Sequence, residues 1–279
     1  MSATADSTRD DAAHAGGWRP TPFVASSMGL HALAGVGLFV APEAWPWLTG
    51  AVAADHAMLG AIGLWPRSTW LGPNLRRLPA PSAGRGEVAI TFDDGPDTDV
   101  TPQVLDRLAE YGARASFFCI GQRAEAHAPL CAEIVARGHA IENHSGRHRP
   151  TFPMLGPGAL RAEIARAQHI LHAVAGSPPR FFRAPAGLRS PLLDPVLHRA
   201  GLQLVSWTRR GYDTRLPPAA VVQRLTRGLT AGDILLLHDR GSALAPSGRP
   251  GVLETLPRVL DAIARAGLRP VTLRDALAA

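Results

Sequence analysis

The sequence predicts an α/β fold built on a parallel sheet, open or closed as a barrel, preceded by a hydrophobic helical hairpin. Two observations carry this. Short apolar runs alternate with amphipathic stretches from residue 87 to the C-terminus, which is the pattern of strands joined by helical crossovers. Ahead of them lie two long apolar segments with almost no charge. A chain of 279 residues that is 46% apolar has enough material for one large domain and a small appendage.

Residues 1–20 are polar and small and lack apolar periodicity, so a disordered tail is expected there. From Phe23 to Ala41 the chain reads FVASSMGLHALAGVGLFVA, long enough to cross a hydrocarbon core. A cleaved signal peptide fits less well, because acidic and basic residues precede the segment and a second apolar stretch, Trp47 to Trp65, follows it. That second stretch carries Asp55 and His56, a costly pair against lipid. The region 21–70 therefore reads as a two-helix membrane anchor, the alternative being a soluble hairpin packed on the following domain. Trp45, Trp47, Trp65 and Trp70 sit where an interfacial belt would place them. Arginines flank the hairpin (Arg9, Arg19, Arg67, Arg76, Arg77) and are missing from its connection, so the positive-inside rule puts the C-terminal domain on the cytoplasmic side.

A linker is expected over 71–86, with its Pro/Gly/Ser tract at Pro79–Gly86, and a single domain over 87–279. Strands are expected at 87–92, 115–120, 139–142, 180–183, 202–207, 233–238 and 270–272. Helices are expected at 102–111, 124–137, 158–175, 190–200, 218–230 and 253–266. Thr101 as N-cap, Pro102 in the first turn and Gly112 beyond the end bracket the first of these helices.

The formal net charge is +6, and all 29 basic residues are arginine. This balance favours anionic surroundings such as lipid headgroups or phosphorylated glycans. The arginines are scattered, with no basic run interleaved with aromatics, so nucleic acid is not an expected partner. Cys119 and Cys131 define no disulfide framework.

The most informative stretch is VAITFDDGPD, residues 88–97, where an apolar strand runs into two adjacent carboxylates and then Gly-Pro. Neighbouring strand residues face opposite ways, so Asp93 and Asp94 serve one site only where the strand has ended and the chain bends. In parallel α/β folds that is the end where sites are built. A second cluster, GHAIENHSGRHRP (138–150), holds His144 and His148 four apart, a spacing that on a helical turn puts both imidazoles on one face. With the carboxylate pair, the combination of two histidines and one aspartate predicts a Zn²⁺ site with an open position for water. Asn143 and Ser145 are candidates to orient the ligands, and Glu142 is expected to point outward. Two further segments, PRFFRAPAG (179–187) and GDILLLHD (232–239), deliver Arg183 and His238 at strand ends, with Leu235 and Leu237 as candidate walls for a small apolar group.

TFDDGPD, HSGRH, RAPAG and LLLH, in that order, resemble the successive motifs of the polysaccharide deacetylases, the NodB-homology domain of carbohydrate esterase family four, over residues 86–275. The resemblance implies a distorted (β/α) barrel binding one divalent cation, commonly Zn²⁺. It implies Asp94, His144 and His148 as metal ligands, Asp93 as general base, Arg183 as its partner and His238 as general acid. It also implies the Ala186 backbone N–H as oxyanion donor, and aligns Trp207 and Asp213 loosely with a fourth motif whose aspartate tunes the acid histidine. Ala186 stands where the family usually has an aromatic, and Arg210 where it has an acidic residue. The expected activity is removal of an acetyl group, foremost N-acetyl, from a saccharide at or near a membrane. A non-carbohydrate amidase and a catalytically silent glycan-binding scaffold are the alternatives.

Overall fold

A computed structural model describes residues 17–278. Most of the expected polar tail, residues 1–16, lies outside the described residues. Eleven α-helices and eight strands are described. Pro22–Val40 (α1) and Trp45–Gly63 (α2) form the N-terminal pair, and the short Ala80–Gly84 (α3) precedes the sheet. The domain then runs Glu87–Asp93 (β1), Thr101–Glu110 (α4), Ala115–Cys119 (β2), Gly121–Ala126 (α5), Ala128–Ala136 (α6), Ala140–Asn143 (β3) and Pro157–Ala175 (α7). It continues through Phe181–Phe182 (β4), Leu193–Arg199 (α8), Gln203–Leu204 (β5), Arg209–Arg210 (β6) and Pro218–Thr226 (α9). Ile234–His238 (β7), Gly251–Arg265 (α10), Arg269–Val271 (β8) and Leu273–Leu277 (α11) complete it.

The strands form one parallel sheet in the order β5-β4-β3-β2-β1-β7-β6, with β8 pairing the start of β1. Period-two alternation sorts its side chains into two cores. Ile90, Phe92, Phe117, Ile141, Leu235 and Leu237 pack outward against the helices. Ala89, Phe118, Phe181, Ile234 and Leu236 fill the inner face, which Leu273 and Ala276 of α11 help to cover. Leu235 and Leu237 therefore do not wall the site: Leu236, two residues before His238, shares its face. Glu142 likewise points inward, fully buried, accepting from the Arg180 and Phe181 amides at 2.9 and 3.0 Å and from Arg274 Nε at 2.6 Å. Burial pushes its carboxyl up, and the Arg274 charge opposes that.

Three local expectations change. The helix expected at 124–137 is broken at His127, with Pro129 in the first turn of α6, because a proline lacks the N–H that a continuous helix needs. Thr101 does not cap α4. Its hydroxyl accepts the Asp97 amide at 2.8 Å and donates to buried Asp239 at 2.6 Å, while Asp97 Oδ1 takes the Asp99 and Val100 amides. The expected linker is docked on the domain: Leu75 pairs with Val205 in parallel, and the Leu78 amide donates to the Gly232 carbonyl at 2.8 Å.

α1 and α2 run antiparallel. Ser27 donates to Asp55 at 2.6 Å, His31 lies 3.3 Å from His56 (Nε2 to Nε2), and a Cβ on Gly37 would come within 2.9 Å of Leu48. The polar residues of the second apolar segment are thus turned toward the first. Of the two, α1 is long and apolar enough to cross a membrane, and Leu33, Phe39 and Val40 on it are exposed. The base of the pair packs through Val24, Ile62 and Leu71, and the Arg189 amide donates to the Gly63 carbonyl at 3.2 Å.

Candidate active site

The carboxyl ends of β1, β3, β4 and β7 converge on one mouth. The β1–β7 register sets Asp93 opposite His238, and the β3–β4 register sets Asn143 opposite Phe182, one residue before Arg183. Asp93 ends β1 in extended backbone. Asp94 is left-handed (φ 74°), which turns the next carboxylate back toward the same mouth, as the sequence required of any adjacent pair. The Gly95–Pro96 bond that follows is cis. Gly95 has no space for a side chain, since a Cβ there would lie 2.3 Å from the Asp239 carboxylate.

His144 and His148 meet in a loop, not on a helical turn. Ser145 and His148 are both left-handed (φ 68° and 50°), folding the segment so that the rings lie 4.9 Å apart between centroids. Asn143 Oδ1 accepts the Ser145 amide at 2.9 Å, Ser145 Oγ accepts the His148 amide at 3.0 Å, and buried Glu163 accepts the Arg147 amide at 3.0 Å. Asn143 and Ser145 thus brace the loop backbone. The His144 ring is fixed elsewhere, by Nδ1 at 2.9 Å from the Arg183 carbonyl oxygen. A carbonyl can only accept, so Nδ1 carries a proton and Nε2 faces the carboxylates.

Nε2 of His144 and of His148 lie 3.3 and 3.2 Å from Asp94 Oδ1, a buried oxygen with no hydrogen-bond donor among the described residues. Ligand atoms from Asp94, His144 and His148 all lie within 4.8 Å of one another. Two imidazole nitrogens and an orphaned carboxylate oxygen converging on one point fit a divalent cation, with coordination positions left open to the mouth. Burial pushes the Asp94 carboxyl up, but the neighbouring imidazoles of His144, His148 and His238 hold it below the usual carboxylate range.

Arg183 is fixed on every side. It donates to Asp93 Oδ1 at 2.7 Å, to Thr91 Oγ1 at 2.8 Å and to the Ser206 and Val205 carbonyls at 3.0 and 3.3 Å, and its guanidinium lies 4.0 Å over the Phe118 ring. Thr91 opens the TFDDGPD motif, but the sequence assigned it no role. Its signal was there, since it stands two residues before Asp93 on the same strand face. Trp207 is buried beside Arg183, its ring centroid 5.8 Å from that guanidinium. It also bars a side chain at Gly187 (φ 77°), where a Cβ would come 2.7 Å from the indole.

His238 Nδ1 lies 2.8 Å from Asp213 Oδ1, and the His238 amide donates to Asp213 Oδ2 at 2.7 Å. Burial opposes the charged ring, but the Asp213 hydrogen bond and charge, with Asp93 and Asp94 beyond, raise it to about 9. Ala186 is exposed on a left-handed turn (φ 55°) before Gly187. All the non-glycine left-handed residues described, Asp94, Ser145, His148, Ala186 and Tyr212, lie in the loops around this mouth. Strain of about 1–3 kcal/mol each concentrates where side chains must be aimed.

Residues 80–205 match the family model for polysaccharide deacetylase. The chain is 32% identical over 212 residues to a peptidoglycan-N-acetylglucosamine deacetylase of Bacillus cereus, covering 75% of this chain and 92% of that protein. It is 35% identical over 167 residues to a chitooligosaccharide deacetylase of Sinorhizobium fredii, covering 59% and 77%. The structure of a family 4 carbohydrate esterase from Streptomyces lividans in complex with acetate superposes with a TM-score of 0.60 at 33% identity, covering 66% of this chain and 91% of that one. Those relatives, together with a curled parallel sheet whose strand ends carry the four ordered motifs, show that the chain belongs to the polysaccharide deacetylase family, the NodB-homology domains of carbohydrate esterase family four.

Proposed function

We propose that the protein hydrolyses the N-acetyl group of an amino sugar in a peptidoglycan- or chitooligosaccharide-type saccharide, in a metal-dependent reaction at a membrane surface. The observation that carries this reading is the convergence of Asp94, His144 and His148 on one point, flanked by the Asp93–Arg183 and His238–Asp213 pairs.

Asp94, His144 and His148 would hold the cation, with Zn²⁺ suited to this donor set. When bound, it supplies Lewis acidity that polarises the acetyl carbonyl and acidifies water. Asp93 accepts the proton of the attacking water on Oδ2, because Oδ1 is engaged by Arg183. Arg183 holds Oδ1 in place and so aims Oδ2 at the mouth. The backbone N–H of Ala186 stabilises the oxyanion as the carbonyl becomes tetrahedral. His238 then gives its Nε2 proton to the leaving nitrogen, its Nδ1 being held by Asp213. Leu236, on the His238 face of β7, is the apolar neighbour suited to the acetyl methyl.

The hairpin supports a membrane location. α1 carries exposed Leu33, Phe39 and Val40, Trp45 and Trp47 are exposed at the start of α2, and Trp65 and Trp70 are exposed beyond its end. The arginine distribution supports a cytoplasmic catalytic domain. Residues 21–70 act as the anchor and 87–279 as the catalytic domain.

Acetate release from chitooligosaccharides, peptidoglycan fragments and lipid-linked N-acetylglucosamine by Zn²⁺-loaded protein tests the activity. Release from at least one is expected, and release from none removes the reading. A C-terminal reporter that becomes active only outside the cytoplasm would reverse the sidedness.

A further inference from the structure

A cleft of 920 Å³ opens beside the catalytic mouth, lined by Ala186, Trp207 and Tyr212 on the mouth side and by Leu64, Trp65 and Pro66 from the exit of the hairpin. Its walls carry six arginines, Arg67, Arg77, Arg209, Arg210, Arg224 and Arg227, and one carboxylate, Asp233. That carboxylate is already neutralised: Arg77 pairs with Asp233 Oδ1 at 3.0 Å and Arg209 with Oδ2. Among the described residues no carboxylate lies within the 4 Å ion-pair distance of Arg67, Arg210, Arg224 or Arg227.

The unpaired guanidiniums are gathered, not scattered. Arg210 and Arg224 lie over the Tyr212 ring at 4.8 and 4.7 Å from its centroid, and Arg210 also lies 5.1 Å from that of Trp207. Tyr212 reaches this position through a left-handed backbone (φ 58°), one residue before Asp213. Arg210 Nε is buried without a hydrogen-bond partner. Aromatic faces moderate like-charge crowding but leave guanidinium N–H donors unused. A buried donor without an acceptor is costly. The complement is an anion with several oxygens, and guanidiniums match phosphate oxygens in pairs.

We propose that this cleft binds a phosphate or diphosphate attached to the acetylated sugar, so that a phosphate-linked saccharide is preferred over a neutral oligosaccharide. This deepens the deacetylase reading and rests on it. A lipid carrier and a nucleotide present the same diphosphate. The wall formed by Leu64 and Trp65, both exposed at the end of α2, places the cleft at the base of the hairpin.

Two measurements on the full chain in detergent test this. Inorganic pyrophosphate is titrated calorimetrically into the wild type and into R224Q/R227Q, whose positions are exposed and so tolerant of change. Binding is expected to weaken by about a hundredfold in the variant, about tenfold for each charge-assisted hydrogen bond removed. No binding to wild type, or equal binding to both, overturns the proposal.

Acetate release is then compared on three substrates: prenyl-diphosphate-linked N-acetylglucosamine in phosphatidylcholine vesicles, UDP-N-acetylglucosamine and a neutral chitooligosaccharide. The diphosphate substrates are expected to exceed the neutral one by about tenfold or more in kcat/KM. R224Q/R227Q should lose that advantage while its rate on the neutral substrate stays unchanged. Preference for the vesicle substrate assigns the anion to a lipid carrier, and preference for the nucleotide to a soluble donor; either supports the cleft. Equal wild-type rates on all three overturn the proposal. Pyrophosphate binding that depends on the two arginines, with no acetate from any substrate, supports the anion cleft and overturns the deacetylase reading instead.

Discussion

Asp213 grips His238 twice, through Oδ1 at 2.8 Å from the ring Nδ1 and through Oδ2 at 2.7 Å from the backbone amide. One carboxylate thereby fixes both the tautomer and the orientation of the ring and leaves Nε2 to face the mouth. The same pairing holds the charged form well above an ordinary histidine.

Asp213→Asn keeps the geometry and removes the charge. In metal-free wild type the His238 ring should titrate by NMR near pH 9, and in the variant it should fall back toward about 6.5. Because the folded value is raised, this pair's stabilisation is fully present below about pH 6.5 and is lost as pH rises through 9. The variant's unfolding free energy should therefore differ most from wild type near and just below pH 6.5 and converge with it above pH 9. An unchanged His238 titration in Asp213→Asn would show that the carboxylate does not set the ring's charge.

Asp93→Asn should reduce turnover by about 10²–10⁴-fold, the usual contribution of a positioned base. Zn²⁺ affinity should change little, because Asp94, His144 and His148 are retained. Steady-state acetate release and a competitive metal titration separate the two effects. Loss of metal along with turnover would make Asp93 a ligand instead.

His144→Ala should release the metal. Metal content after dialysis is expected to drop to background, with activity not restored by stoichiometric Zn²⁺. Chelation of wild type should abolish acetate release and Zn²⁺ should return it. Full activity after exhaustive chelation would exclude the proposed metal dependence.

Arg183→Met leaves Asp93 as a buried, unpaired charge and should cost about 3–5 kcal/mol in urea unfolding. Adding Asp93→Asn should recover part of that loss, since the stranded charge disappears. Additive destabilisation in the double variant would show that Arg183 acts through packing on Phe118 and the Val205 and Ser206 carbonyls instead.

Leu33→Glu/Phe39→Glu adds charge to two exposed positions of α1. The protein should move from the vesicle-bound to the soluble fraction on flotation while retaining deacetylation of a soluble chitooligosaccharide. Unchanged flotation would show that α1 is not what holds the protein to lipid.

Much of this molecule was legible in one dimension. The apolar runs located β1, β2, β3 and β7, because strand burial follows a period that the sequence states directly. The two-residue β6 was not visible as a separate strand, since a pair of arginines has no period. The adjacent carboxylates required a bend after Asp93, and the left-handed Asp94 supplies it. Parity at β7, counted back from His238, selects Leu236 and places Leu235 and Leu237 in the outer core, against the expectation that those two would wall the site. The same count from His144 turns Glu142 inward.

The sequence by itself determined the family, the residue types of the site and the strands that carry them, because motif chemistry and alternation are local properties of the chain. Only the tertiary structure decided how His144 and His148 meet, which carbonyl fixes His144, that the region before β1 docks on the domain, and that scattered arginines become one cleft. Each of these depends on contacts between segments distant in sequence, which exist only once the sheet order sets β3, β1 and β7 around a common mouth.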